Sequence, residues 1–274
     1  MARIGMVNYI NTAPIYEVWK EQVFNPDWQV TEAPPSTLNR MLAADELDLG
    51  FVSSYEYAAR PEKYRILADL SISATGPVGS VFLFSTIEPE QLDDELVLMT
   101  GQSDTSVCLV RIILEEFLGV SPRYITGEVF GPREQDSEPA AILAIGDEAL
   151  RLKVENKHPV QMDLAEFWNK KTGLPFVFAV CAVREEFLSS ASQAAREIRQ
   201  TLLDCRRQGL EQLPEICDRV APRIPMDCEA CSLYLRSLEY DLGPAKQKAL
   251  EKFFTLLIQR GEADKAALPL KIFA

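Results

Sequence analysis

The sequence predicts an α/β protein of two lobes with a cleft between them, and three observations carry that expectation. Strand-like and helix-like stretches alternate at short spacing through the first 85 residues, the pattern of a mainly parallel sheet. A second series of the same kind starts near residue 89, and its stretch "EPAAILAIGDEAL" repeats the layout of "DELDLGFVSSYEY": acidic lead-in, apolar strand, small polar turn, helix. The run "GLPFVFAVCAVR" at 173–184 then reads as a strand long enough to cross back between lobes. The expected division puts residues 1–86 and 182–274 in one lobe and 87–181 in the other. One continuous doubly wound sheet is the alternative architecture.

Each element follows from local pattern. "RIGMV" is a short apolar strand, "PIYEVWKEQVF" a helix opened by a proline, and "WQVTEA" a second strand. In "PPSTLNRMLAADEL" residues Leu38, Met41 and Leu42 share one helical face. "LDLGFVSS" reads as a buried strand running into the helical "YEYAARPEKY", and "YRILADLSISATGPVGSVFLFST" as two strands broken at Gly76 and Pro77. In the second series "ELVLMT" is a strand, "GQSDTSVCLVRIILEEFLG" a polar turn leading into an amphipathic helix, and "RYIT" another strand. Beyond 184 the chain reads as helical and amphipathic to its end, through "AAREIRQTLLDCRR", "CSLYLRSLEY" and "PAKQKALEKFFTLLIQR".

Composition narrows the function classes. The chain has 274 residues, 47% of them hydrophobic, so it can bury a sizeable core. A formal charge of −13, from 41 acidic and 28 basic residues, disfavours nucleic acid or an anionic membrane as the main partner but leaves room for a small anion at a local site. No apolar run reaches the about 18 residues of a membrane span, and "MARIGMV" lacks the pattern of an export signal, so a cytoplasmic protein is expected. Of the cysteines 108, 181, 205, 217, 228 and 231, only Cys228 and Cys231 have metal or redox spacing. They lack a second close pair and lie in a helical tail, so neither a metal nor a redox role is expected.

The polar turns carry the chemistry. "NYINTAP" at 8–14 ends a strand in polar groups at a helix start, where free backbone N–H groups and the helix dipole favour an anion. Asn11 or Thr12 capping the helix is the structural alternative. Ser53 stands at a second helix start, Ser80 follows the turn "GPVG", and Ser103, Thr105 and Ser106 open a third helix. "SDTSV" has a capping role open to it as well, and Asp147 behind Gly146 is read either as a cap or as a ligand contact. The single histidine, His158, sits in the polar stretch "VENKHPV" and is expected to be a surface loop residue.

Taken in order and spacing, "RIGMVNYINTAPIY", "LDLGFVSSYEYA", "LADLSISATGPVGSVFLF", "SDTSV", "AILAIGDEAL" and "DLAEFWNKKTGLPFVFA" closely resemble the MqnA-type chorismate dehydratases of the futalosine route to menaquinone. The likeness spans residues 3 to about 184. It implies a two-lobed fold like that of type II periplasmic binding proteins, and a lyase that removes water from chorismate to give 3-[(1-carboxyvinyl)oxy]benzoate without a cofactor or a metal. It also implies Asn11 and Ser80 as the catalytic pair; Thr12, Ser53, Ser103, Thr105, Ser106 and Asp147 join them as expected substrate contacts. Ala165, Lys171 and Cys181 depart from the family pattern, in a helix and a strand rather than in the polar turns. Neither an amide nor a serine is a strong base, so a substrate carboxylate is expected to take the ring proton while the protein orients and stabilises. Two other functions fit the same architecture: a solute-binding protein without chemistry, and the related 1,4-dihydroxy-6-naphthoate synthase, which is expected to need a pocket histidine.

Overall fold

The apolar runs of the sequence form strands, and the polar turns behind them open helices. A computed structural model describes residues 1–130, 138–224 and 226–274. In chain order the first elements are β1 (Ala2–Val7), α1 (Ala13–Gln22), β2 (Trp28–Ala33), α2 (Pro35–Ala43), β3 (Leu49–Ser53), α3 (Ser54–Ala59) and β4 (Tyr64–Ala74). The middle of the chain gives β5 (Val81–Ser85), β6 (Leu96–Thr100), α4 (Asp104–Arg111), β7 (Arg123–Gly127), β8 (Ala141–Ile145), α5 (Gly146–Glu155), β9 (Val160–Asp163) and α6 (Leu164–Thr172). It closes with β10 (Phe176–Arg184), α7 (Glu185–Glu211), α8 (Leu213–Val220), α9 (Cys228–Ser237), α10 (Pro244–Gln259) and β11 (Ile272–Phe273).

The strands form two sheets, ordered β11-β4-β10-β3-β1-β2 and β7-β6-β8-β5-β9. Each has a parallel trio, β2-β1-β3 in one and β7-β6-β8 in the other, followed by a strand that runs antiparallel to its neighbours. β3 and β8, the strands of the two echoing sequence stretches, hold the same third place in this order. The antiparallel strand is exchanged. β5 pairs with β8 and β9 in the second sheet before the rest of that sheet is made, and β10 returns between β3 and β4 of the first.

Sheet membership therefore divides the chain at places other than the expected boundaries of 86 and 182. Residues 81–85 belong to the second sheet and 176–184 to the first, so the crossings lie in the turn 75–80 and at 173–175. The run 173–184 does not cross between sheets as a strand; all of β10 is laid down in the first. β11 is a further departure from an all-helical tail, pairing in parallel with β4 through Ile272 and Phe273.

Packing ties the C-terminal helices to both sheets. Trp168 of α6 is fully buried, meets Phe176 of β10 edge-on at 5.3 Å and Phe253 of α10 at 6.2 Å, and donates its indole N–H to the Pro175 carbonyl at 3.0 Å. Each such side chain removed from water contributes about 1.5–3 kcal/mol. α7 lies against α1 so closely that a Cβ on Gly209 would stand 1.6 Å from the Pro14 carbonyl oxygen. That contact holds the start of α1, and with it the "NYINTAP" turn, against the tail.

Candidate functional site

Five helix starts meet at one cleft between the two sheets: Thr12 before α1, Pro35 of α2, Ser53 before α3, Ser103 before α4, and Ile145 with Gly146 at α5. Asn11, Ser80 and Ser106 also line it, along with apolar groups such as Val52, Ile72 and Phe178. Among the described residues the lining holds hydroxyl, amide and backbone groups but no Lys, Arg, His, Asp or Glu. The helix starts offer positive potential without a cationic side chain.

Each polar wall residue is held by its neighbours. Thr12 Oγ1 donates within reach of the Val7 and Tyr9 carbonyls, at 2.8 and 3.0 Å, which shapes the turn after β1. Ser53 caps α3 by accepting the Glu56 N–H, and it accepts a second hydrogen bond from Asn39 Nδ2 at 2.9 Å, so its own proton is left for the cleft. Asn39 Oδ1 in turn accepts the Ser53 N–H at 3.0 Å. Ser103 caps α4 through the Ser106 N–H, and the two hydroxyls lie 3.1 Å apart. For Ser53 and Ser103, capping and cleft lining thus coincide.

The turn that presents Ser80 depends on a buried carboxylate. Asp163, at the start of α6, accepts the N–H groups of Val78 and Gly79 at 3.2 and 2.7 Å, together with those of Ala165 and Glu166. Burial pushes its carboxyl up from the ordinary value, against the pull of these four amides. The Ser80 carbonyl accepts the Gly146 N–H at 2.7 Å, which joins β5 to the start of α5. Gly146 has φ +55°, and a Cβ there would stand 2.9 Å from the Tyr9 ring, so glycine is required where the start of α5 passes the turn after β1. Tyr9 also donates its hydroxyl to Gln102 Oε1, a link from the turn after β1 to the turn after β6.

Six of the eight expected site residues line this cleft: Asn11, Thr12, Ser53, Ser80, Ser103 and Ser106. Asn11 Oδ1 is buried without a hydrogen-bond partner among the described residues, an acceptor waiting for a donor from a bound molecule. Thr105 and Asp147 stand outside the lining. Thr105 Oγ1 accepts the Tyr55 N–H at 2.9 Å and so ties the start of α4 to α3. Asp147 faces an outer recess with Glu148 and Arg151; burial pushes its carboxyl up, while the Ile10 backbone amide pulls it down. It is not a side-chain cap of α5 either, since Ile145 holds the cap position. His158 lies in the loop between α5 and β9, its ring 5.5 Å from that of Phe84 and away from the cleft.

Sequence reasoning missed the residues that hold the wall. Asn39, Gln102, Asp163 and Tyr234 act over long separations, and only Asp163 had a local signal, as the cap of "DLAEF" with Glu166 three positions on. All six cysteines are free thiols, and among the described residues no group of three or more His, Cys, Asp or Glu is placed to hold a metal ion.

A family model described as menaquinone biosynthesis matches residues 2–259. The chain belongs to that family. It is similar to the chorismate dehydratase of Thermus thermophilus, with 32% identity over 265 residues that cover 91% of this chain and 93% of the relative. A chorismate dehydratase of Campylobacter jejuni is 28% identical over 179 residues, 64% of each chain. Among solved structures, a protein from Archaeoglobus fulgidus superposes with a TM-score of 0.74 at 20% identity, covering 95% of this chain and 97% of that one. The periplasmic aliphatic sulphonate binding protein SsuA from Escherichia coli superposes with a TM-score of 0.69 at 11% identity, covering 100% and 92%. This menaquinone-biosynthesis protein therefore has the periplasmic-binding-protein fold.

Proposed function

We propose that this protein is a chorismate dehydratase, a lyase that converts chorismate to 3-[(1-carboxyvinyl)oxy]benzoate and water on the futalosine route. The observation that carries the reading is a neutral cleft whose helix starts and hydroxyl groups come from both sheets, in a chain of the menaquinone-biosynthesis family. Chorismate is a dianion with a ring hydroxyl, and helix starts bind carboxylates without spending positive side chains. That fits an acidic protein with an uncharged cleft.

The reaction loses a ring proton and the ring hydroxyl, and aromatisation drives it. Tyr9, the one titratable side chain in the described lining, is kept protonated by burial and is no base, so the proton goes to a carboxylate of the substrate itself, placed beside the C–H bond by the helix starts, and leaves with the departing hydroxide as water. Ser80 donates to the departing oxygen, and the orphan Asn11 Oδ1 accepts a substrate hydroxyl or a proton in transit. Ser53, Ser103 and Ser106 fix the carboxylates; Thr12, whose hydroxyl proton is held by the Val7 and Tyr9 carbonyls, shapes the wall beside them, and Thr105 supports them from behind. The two sheets are the cores of two lobes, and the enzyme works in the cytoplasm; among the described residues no helix is long and apolar enough to cross a membrane.

The test is direct. Purified protein incubated with chorismate, followed by chromatography and mass, should yield a product lighter by one water, in EDTA as in its absence. Chorismate unchanged against a no-enzyme control favours the solute-binding reading, and activity lost to EDTA and restored by zinc requires a metal.

A further inference from the structure

We infer that Tyr234 is a positioning residue, holding the Ser80 hydroxyl as a hydrogen-bond donor into the cleft; this rests on the dehydratase reading above. Tyr234 lies on α9, 154 positions from Ser80, and its phenol donates to Ser80 Oγ at 2.9 Å with both side chains buried. It takes no part in the cleft lining. A serine oxygen has one proton to give and two lone pairs to fill. Once the phenol proton occupies a lone pair, the serine proton has to point elsewhere, and Ser80 Oγ makes no other hydrogen bond among the described residues. The direction left open is the cleft.

The rest of Ser80 is already fixed. Its carbonyl is bound to the Gly146 N–H, and the amides of the two residues before it are bound to Asp163. Rotation about the Cα–Cβ bond is the remaining freedom, and Tyr234 removes it. Burial raises the phenol well above its ordinary value, so it stays protonated and keeps the proton that it donates to Ser80. A hydroxyl that accepts from one partner donates more strongly to the next, so the chain from Tyr234 through Ser80 to a departing oxygen is polarised in the direction the reaction requires. The pair also gives the C-terminal helices a part in the site, although they add no residue of their own to the reacting centre.

The decisive measurement is a double-mutant cycle in the chorismate assay. Tyr234→Phe keeps the ring and deletes the donor; kcat should fall about ten-fold, the scale of one hydrogen bond lost from the transition state, with KM changed less than about two-fold. In a Ser80→Ala background the same change should cost nothing further. Incorporation of 3-fluorotyrosine at position 234 keeps the fold and the hydrogen bond while strengthening the donor, and kcat should rise. An unchanged kcat in Tyr234→Phe, or a full ten-fold loss in the Ser80→Ala background, overturns the assignment. Wild-type protein that leaves chorismate untouched in the parallel reaction overturns the dehydratase reading instead, and the Tyr234 assignment with it.

Discussion

Asn11 and Ser80 differ in how they are held, and that difference sets what their loss should do. Ser80 is fixed by Tyr234, Gly146 and the Asp163-bound turn, whereas Asn11 Oδ1 is buried without a partner among the described residues. Ser80→Ala should lower kcat by about a hundred-fold, the cost of deleting a preorganised donor to a developing charge, with little change in KM. Asn11→Ala removes an unsatisfied buried acceptor, so it should raise the melting temperature slightly while still lowering turnover by a similar factor. Steady-state kinetics with chorismate, alongside thermal melts, checks both, and turnover within a few-fold of wild type would remove either residue from the site. What the sequence made legible at this scale was local. Ser53 and Ser103 cap helices through amides three positions on, a spacing visible in the chain. The bonds from Asn39 to Ser53 and from Tyr234 to Ser80 span 14 and 154 positions, and no local pattern encodes them. Asp147 shows the same limit: a small polar turn before a helix has one appearance whether its acid lines the cleft or, as here, stands outside the lining.

The elements were readable where one face is wet, and ambiguous where both are dry. β5 and β8 are buried at every position, and β10 is nearly so, so their sequences carry no alternation to reveal which sheet takes them. The echo of β3 and β8 was legible because a strand, a polar turn and a helix follow one another without a gap; the exchange of β5 and β10 was not, because it depends on partners more than 50 positions away. β11 has two residues and no pattern at all. Within the first sheet, Asp48 before β3 joins β1: it accepts the Arg3 N–H at 2.8 Å and pairs with the Arg3 guanidinium at 2.6 Å. Burial alone would push the Asp48 carboxyl up, but these bonds and the nearby Arg184 hold it below its ordinary value. A depressed folded value contributes stability that is present above the unfolded value of about 3.9 and is lost as pH falls through the folded one. Asp48→Asn should therefore cost stability at pH 7 and lose less than wild type on acidification; the urea midpoints of the two proteins should draw together as pH falls below about 4. Curves that stay parallel across that range would show that the pair does not couple β1 to β3.

At the scale of the molecule, the net charge of −13 and the uncharged cleft belong together. An acidic exterior repels a dianion weakly at physiological salt, where a Debye length is about 8 Å, so capture depends on the helix starts inside. Those starts lie on both sheets, and the sheets are joined by the turn 75–80 and by 173–175. A molecule bonded to Ser53 on one side and Ser80 or Ser103 on the other therefore favours the state in which the walls meet. The structure has the walls together: Tyr9 bonds Gln102, the Ser36 N–H reaches the Gln102 carbonyl at 3.2 Å, and Asn39 Nδ2 reaches Asp104 Oδ2 at 3.0 Å. These neutral or partly exposed bonds are each worth about 1 kcal/mol, little enough for the ligand-free protein to open and for a bound dianion to close it. In the mechanism proposed above, closure would also remove water from the departing hydroxyl and so strengthen a Ser80 bond when charge develops there. X-ray scattering of the free and product-saturated protein should give a smaller radius of gyration with product. Gln102→Ala, which cuts two walls apart without touching the lining, should shift the free protein further open and weaken product binding while leaving the saturated profile unchanged. Superimposable profiles for free and saturated wild type would mean that the walls stay together at rest, and that turnover proceeds without the closure argued here.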